Sequence, residues 1–202
     1  MRRMPLILGL CAFIMAGLAI IVVAEPPGIP PDFLAPQDGT QEVPLRVTDA
    51  TGQALFKIEN EGTAISYRLT VQAISNVVAA HIHIGPVGVN GPIVVFLYGN
   101  VPPGGGPIEG HIAEGTFTKA NLVGPLIGQE LSVLIEAMRT GGAYVNVHTN
   151  NGVGPVNEGP GDFPGGEIRA QVQSAHDHSP NTGPQQLIME TETPPREEAV
   201  QP

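Results

Sequence analysis

The residues of this chain best suited to chemistry are three histidines. His81 and His83 lie in the run AAHIHI (residues 79–84), and His148 lies in the run AYVNVHT (residues 143–149). Neutral imidazole nitrogen atoms bind both Zn²⁺ and Cu²⁺ well, so three of them with an open fourth position would suit either metal. The same rings could instead be structural, partly buried and bonded to nearby backbone. The choice depends on whether His148 meets the other two.

The strands that would carry these histidines are indicated by the alternation of their side chains. Successive residues of a strand point to opposite faces. His81 and His83 therefore share one face, and the isoleucines next to them share the other. The same rule places Asn146 and His148 together, with two valines opposite. If the apolar residues face the core and the two strands are neighbours, the three histidines converge on the other side of the sheet.

Further runs of the sequence predict short strands joined by many turns. The chain has 26 glycines and 21 prolines, spaced between β-branched runs. Alternation or apolar runs predict strands over 54–58, 64–73, 77–84, 93–98, 108–117, 143–149 and 167–173. Residues 128–139 repeat apolar positions every three or four residues, which predicts a short helix ended by Gly141 and Gly142. This pattern predicts an all-β fold, a β-sandwich or Greek-key barrel with one short inserted helix.

The first 24 residues have the composition of an export segment. Arg2 and Arg3 precede an uncharged run over residues 5–24, which ends in small residues before Glu25. Such a segment is either a cleaved signal peptide or an uncleaved N-terminal anchor, since about 20 apolar residues can also cross a bilayer. We therefore expect a secreted or extracytoplasmic protein, in the periplasm or on the cell surface, with membrane attachment through residues 5–24 as one alternative.

Composition also predicts a domain flanked by less regular segments. Residues 25–38 are rich in proline and predict an extended linker. The folded domain is expected over residues 39–173. Residues 174–202 are polar, rich in proline and without periodicity, which is typical of a disordered acidic tail. His176 and His178 in this tail could bind a metal weakly or remain solvated.

Charge and cysteine content exclude several classes of function. Arg2 and Arg3 are the only charged residues before Glu25, so the rest of the chain carries 7 Lys+Arg against 19 Asp+Glu. A phosphate backbone would be repelled, so no nucleic-acid partner is expected. Cys11, the single cysteine, lies in the export segment. The remaining chain therefore offers no disulfide, no zinc–thiolate site and no cysteine nucleophile.

Neither a phosphate-binding loop nor a catalytic set is predicted. Gly85-Pro86 and Asn90-Gly91-Pro92 contain prolines that cannot donate hydrogen bonds, and neither a Lys-Ser/Thr pair nor a helix follows. Turn chemistry explains them better, with positive φ angles expected at Asn90 and Gly91. The serines lack the strand–turn–helix setting that exposes a nucleophile, and no pair of carboxylates stands out for acid–base catalysis.

Several motifs in a fixed order resemble the CHRD domain, a module named after chordin and also found in exported microbial proteins. In chain order they are Tyr67-Arg68-Leu69-Thr70-Val71, Ala80-His81-Ile82-His83, Gly85-Pro86, Asn90-Gly91-Pro92-Ile93-Val94-Val95, Tyr144-Val145-Asn146-Val147-His148-Thr149 and Pro164-Gly165-Gly166-Glu167-Ile168-Arg169. The resemblance spans about residues 39–173 and implies an immunoglobulin-like or related sandwich. Chordin binds secreted growth factors, but this chain lacks the cysteine-rich modules that accompany the domain there, so that property does not carry over.

The chain departs from the family pattern between His148 and Pro164. Residues 150–163 (NNGVGPVNEGPGDF) form an insertion where the step is usually short, and we expect them to change the surface next to His148. Glu167, which follows the insertion, is expected near His148 as an orienting group or a further metal ligand. Its alternative role is an ion pair with Arg169 or Arg68.

Two functions follow as expectations. The first is a non-enzymatic extracytoplasmic binding or structural module at the cell envelope, whose partner is an unknown extracellular protein or envelope component. The alternative is a copper- or zinc-binding protein that uses His81, His83 and His148. Copper–zinc superoxide dismutases have a similar His-x-His strand on a Greek-key barrel, so the alternative includes a dismutase-like redox role by analogy.

Overall fold

The structure is a computed structural model, and it describes residues 30–176 of the 202-residue chain. The expected export segment, Cys11 and nearly all of the expected tail, including His178, lie outside the described residues. Within residues 30–176, no helix is long and apolar enough to cross a membrane.

Nine antiparallel strands and one α-helix make up the described domain. The strands are β1 (Phe33–Asp38), β2 (Thr51–Glu59), β3 (Ala64–Ser75), β4 (Val77–Ile84), β5 (Ile93–Gly99), β6 (Pro107–Thr118), β7 (Ala143–Thr149), β8 (Ile168–Gln171) and β9 (Gln173–Ser174). The helix α1 spans Leu131–Arg139, and short 3-10 turns cover Gly39–Gln41, Asn60–Gly62, Lys119–Asn121 and Gly124–Leu126. The prediction of an all-β fold with one short helix is confirmed.

The strands form one continuous sheet that curls until its ends approach each other. Its order is β5-β4-β7-β8-β1-β2-β3-β6, and β9 also pairs with β1. Near the two ends, the Tyr67 hydroxyl of β3 donates a hydrogen bond to the Leu97 carbonyl of β5 at 2.7 Å. The sheet is therefore a nearly closed barrel, and its inner side holds the core.

Apolar side chains of alternating strand residues fill this interior. Ile82 of β4 and Val145 and Val147 of β7 are fully buried in the core, as the alternation of side chains predicts. The helix contributes Leu134 and Met138 to the same cluster. Burying a side chain of this kind stabilises the fold by about 1.5–3 kcal/mol. Because the interior takes the apolar face of β4 and β7, their polar residues lie on the outer face.

The prediction of an extended linker over residues 25–38 is wrong from Phe33 onward. Residues 33–38 form β1, which pairs with β2 on one side and with β8 and β9 on the other. Pro36, which suggested a spacer, lies between Leu34, opposite β9, and Asp38, opposite β8. The ladder on that side is interrupted at Pro36, so a residue without an N–H group is tolerated there.

The turn between β4 and β5 is present, but the reason expected for its glycine is wrong. Positive φ occurs at Gly88 (φ 76°), and neither Asn90 nor Gly91 has it. Gly91 is needed because a Cβ at this position would overlap the carbonyl oxygen of Ile84. Close approach of two backbones therefore selects this glycine.

Candidate metal centre

The three histidines meet because β4 and β7 are neighbours. The register pairs Ala79 with His148, His81 with Asn146 and His83 with Tyr144, so these side chains share the outer face. One ring nitrogen from each of His81, His83 and His148 lies within 4.8 Å of the corresponding nitrogen of the others. Within residues 30–176, no carboxylate or thiol joins this group. The predicted convergence is therefore present, and all of its donors are imidazoles.

Two of the rings are fixed by hydrogen bonds from one nitrogen to backbone. His83 Nδ1 lies 2.8 Å from the Gly91 carbonyl oxygen, and His148 Nδ1 lies 2.9 Å from the Pro164 carbonyl oxygen. A carbonyl only accepts, so in each ring Nδ1 carries the proton and Nε2 carries the lone pair, which in His148 accepts a hydrogen bond from His81 Nδ1 at 3.0 Å. Metal-binding histidines are oriented in this way, by a bond from the ring nitrogen that does not bind the metal.

The third ring, that of His81, places its Nδ1 atom close to the Nε2 atom of His148. His81 Nδ1 lies 3.0 Å from His148 Nε2. Two ligands of a tetrahedral ion with bonds of about 2.0–2.1 Å are roughly 3.3 Å apart, so this pair is already near the required spacing. The Nε2 atoms of His81 and His83 are buried and have no hydrogen-bond partner among the described residues. Buried polar atoms of this kind are rare, because each is usually satisfied by protein, water or an ion.

All three rings are held in the neutral form that can bind a metal. Burial is the main cause that lowers the pKa of His81 to about 3, and the nearby His148 and His83 lower it further. Burial lowers the pKa of His148 to about 4, although the bond to Pro164 acts in the opposite direction. The pKa of His83 is also lowered, mainly by burial. The lone pairs are therefore available at neutral pH.

A stack of side chains supports His83 from behind. The His83 ring lies 4.8 Å from the Tyr144 ring, nearly parallel to it, and the Arg169 guanidinium lies 3.5 Å from the Tyr144 centroid. Arg169 also donates to the Asn90 side chain at 2.9 Å, while the Tyr144 oxygen accepts from the Gly91 N–H at 3.0 Å. This stack fixes both His83 and the loop whose carbonyl orients it. Tyr144, Asn90 and Arg169 belong to the motifs of the sequence, but nothing in their spacing revealed this role.

Phe96 forms part of the wall on the β5 side of the cluster. It is the register partner of His81, and its ring meets the His81 ring edge-on with centroids 5.0 Å apart. Phe96 is 50% exposed, whereas His81 is only 6% exposed. The phenyl ring therefore separates part of the imidazole cluster from solvent. Sequence analysis missed Phe96, because it lies in an apolar run that is typical of core.

Glu167 takes neither of its expected roles. It is fully buried, and its carboxylate accepts hydrogen bonds from the hydroxyls of Thr48 and Thr149, both at 2.6 Å, and from the Gly161 N–H at 2.8 Å. It is not part of the three-histidine group, and residues 30–176 contain no ion pair between it and an arginine. Glu167 instead connects the end of the insertion to β7, because its carboxylate bonds both to Gly161 of the insertion and to Thr149 of β7.

The insertion lies next to His148, as expected. The Thr149 N–H donates to the Phe163 carbonyl at 3.3 Å, and Pro164, which holds His148, follows directly. His176 is distant from this arrangement: its side chain is 76% exposed and its Nε2 lies 3.9 Å from an Asp32 carboxylate oxygen. Within the described residues, His176 belongs to no metal-ligand group.

Comparison with known proteins gives one match. The family model of the CHRD domain matches residues 33–172. No curated protein and no solved structure matches the chain. The match begins at β1 and ends between β8 and β9, so it covers every strand of the barrel except β9.

Proposed function

Because this chain belongs to the CHRD domain family, we propose that it is an exported, non-enzymatic binding module whose three-histidine cluster holds one zinc or copper ion. The ligands are His81, His83 and His148. Three neutral nitrogen donors fit either metal, and the absence of thiolate from the group gives no preference for a softer ion. The ion would join β4 to β7 and, through Gly91 and Pro164, stabilise the two loops that cover the outer face.

The orientation of His83 and His148 carries this proposal. Each ring uses Nδ1 to reach a backbone carbonyl, at 2.8 Å and 2.9 Å, and leaves Nε2 without a proton. A purely structural histidine gains from bonding both nitrogens, yet His83 Nε2 is buried and has no hydrogen-bond partner among residues 30–176. Leaving such an atom unsatisfied costs about 1–3 kcal/mol, and coordination of a metal by His83 Nε2 would remove that cost.

Export is supported by the family and by the first 24 residues. CHRD domains are modules of extracellular type, and residues 1–24 have the charged start and apolar run of an export segment. The partner in this proposal is an extracellular protein or envelope component. The dismutase-like redox role stays a prediction.

Metal content tests the proposal directly. The untagged protein, exposed to zinc or copper and then freed of excess metal, is expected to retain one ion per chain by elemental analysis. Binding should also stabilise the fold, by about 2.7 kcal/mol when free metal is one hundred times the dissociation constant, seen as a higher melting temperature.

Two variants separate this site from adventitious binding. His83→Ala should lose both the metal and the stabilisation. His111→Ala is the matched control, because His111 lies on β6, outside the three-histidine group, and its exposed ring has Nε2 3.4 Å from a Glu114 carboxylate oxygen. Equal metal content in the wild type and in His83→Ala, or none in the wild type, would refute the proposal.

A further inference from the structure

A second buried acceptor adjoins the histidine cluster. Asn146 of β7 is 3% exposed and is the register partner of His81, so it shares the outer face with the three rings. Its Oδ1 atom is buried and, like His83 Nε2, has no hydrogen-bond partner among residues 30–176. Two acceptors with bare lone pairs are thus buried in one site. The Asn146 side chain acts to raise the pKa of His83, but in neutral His83 the proton lies on Nδ1 and neither acceptor can satisfy the other.

The neighbours of the amide show how Asn146 is oriented. A Cβ added at Gly166 would lie 2.8 Å from Asn146 Nδ2 and would overlap Glu42 Oε1, so the amide nitrogen and this carboxylate flank the same glycine. Burial raises the pKa of Glu42 to about 7, and the Asn146 amide acts against this rise, as an N–H donor does. Nδ2 therefore faces Glu42, while the Asn146 side chain acts to raise the pKa of His83, as an oxygen acceptor does, so Oδ1 faces the histidine side.

A bound metal would satisfy the nitrogen acceptors but not this oxygen. Three imidazoles leave one position of a tetrahedral ion open, and within the described residues no carboxylate or thiol reaches the group. A water molecule in that position has protons to donate and would supply what Asn146 Oδ1 lacks. Phe96, edge-on to His81, limits the room beside the ion on the β5 side.

We infer that a metal in this cluster keeps one coordination position for a small protic ligand, water in the resting protein, whose proton is accepted by Asn146 Oδ1. This inference rests on the proposed function and adds a ligand class to it. The site would accept water, hydroxide or a hydroperoxide. It would disfavour an aprotic anion such as azide, whose lone pairs would face the amide oxygen. Asn146 is then a positioning residue that does not itself bind the metal.

The wild-type protein gives the first test. It is loaded with one Cu²⁺ per chain, and pulsed electron paramagnetic resonance is recorded in H₂O and in D₂O. An exchangeable proton on a directly coordinated water is expected. Copper bound at the three histidines without such a proton would overturn the inference and leave the proposed function intact, whereas failure to bind either copper or zinc would remove the proposed function itself.

A substitution at Asn146 gives the second test. Asn146→Leu has similar volume and no acceptor, so displacing the water no longer breaks a hydrogen bond, and azide should bind the copper about fivefold more tightly than in wild type. Asn146→Asp keeps an acceptor and should not show this gain. Unchanged azide affinity in Asn146→Leu would refute the role of the amide. A hundredfold loss of copper affinity in Asn146→Leu would also refute it, because Asn146 would then be a ligand.

Discussion

The two faces of strands β4 and β7 are buried to a similar degree but are built on different principles. The inner face carries Ile82 and Val145, both fully buried, while the outer face carries His81, His83 and Asn146, at 6%, 7% and 3% exposure. Burial of the inner residues is favourable in itself. On the outer face, each of the three residues has one buried polar atom without a hydrogen-bond partner in the described part of the chain, at a cost of about 1–3 kcal/mol. The inner face is what stability alone would select, so the outer face points to function.

The largest expected effect comes from the inner face. Ile82→Ala removes buried methyl and methylene groups and leaves a cavity, so the free energy of unfolding should fall by about 2–5 kcal/mol. Chemical denaturation of the metal-free protein measures this change. A loss below about 1 kcal/mol would mean that the interior is less tightly packed than the structure shows.

Acid should weaken the outer face. Unfolded histidines take up protons below about pH 6.5, while folded His81 and His148 resist until their pKa values of about 3 and 4, so the free energy of unfolding falls with pH over that range. Glu42 acts oppositely between its folded pKa of about 7 and its usual 4.5. From pH 6.5 to 4.5 the metal-free protein should lose roughly 2 kcal/mol.

A variant at Glu42 isolates these opposing contributions. Glu42→Gln removes the carboxyl group that gains protons on folding, so its loss of stability over the same pH range should be about twice that of wild type. Denaturation curves at several pH values measure both slopes. If the free energy of unfolding of Glu42→Gln did not change with pH between 6.5 and 4.5, the histidines would have to be exposed to solvent.

The loop that covers the outer face offers a comparison between two glycines. Gly91→Ala places a methyl group against the Ile84 carbonyl, whereas Gly88→Ala meets no atom of residues 30–176 within 4 Å and strains only a φ of 76°. The strain at Gly88 costs about 1 kcal/mol. We expect Gly91→Ala to cost about 1–2 kcal/mol more and to weaken metal binding through His83. Equal losses in the two variants would mean that the close approach at Gly91 is not required.

The smallest effect on stability should come from the outer face itself. His81→Leu loses the hydrogen bond between Nδ1 and His148 Nε2 but also removes the unpartnered Nε2 and supplies apolar volume, so the free energy of unfolding of the metal-free protein should change by less than about 1 kcal/mol in either direction. The same variant should lose metal binding. A large destabilisation without metal would assign His81 a structural role and weaken the contrast between the two faces.

Much of the site could be predicted from alternation, because side-chain direction in a strand is a local property. The shared face of His81 and His83, and that of Asn146 and His148, follow from it directly. Whether the two pairs lie close together depends on whether β4 and β7 are neighbours. These strands are distant in sequence, and their adjacency is set by the order of the whole sheet, so the sequence could not decide this. The family motifs identified the fold but did not show which strands are neighbours.

The features that sequence reasoning missed or misplaced depend on contacts between distant backbones. Pro36 fits within β1 only because the ladder on one side is interrupted there. Gly91 is selected by Ile84, and Glu167 is bound by Thr48 from another loop. Glu42 lies in a segment without periodicity, so its burial could not be read locally. In each case the deciding neighbour is defined by the tertiary fold.

The position of β1 has a consequence for the order in which the chain can fold. β1 comes first in the domain, yet it pairs with β8 and β9, and the Ala175 N–H donates to the Asp32 carbonyl at 2.9 Å. The barrel therefore cannot close until its last strands have emerged, which predicts slow, late folding dominated by long-range contacts. A chain that remains unfolded during synthesis can still pass through a narrow translocation channel. In the folded domain, the backbone at Asp32 and the backbone at Ala175 lie side by side.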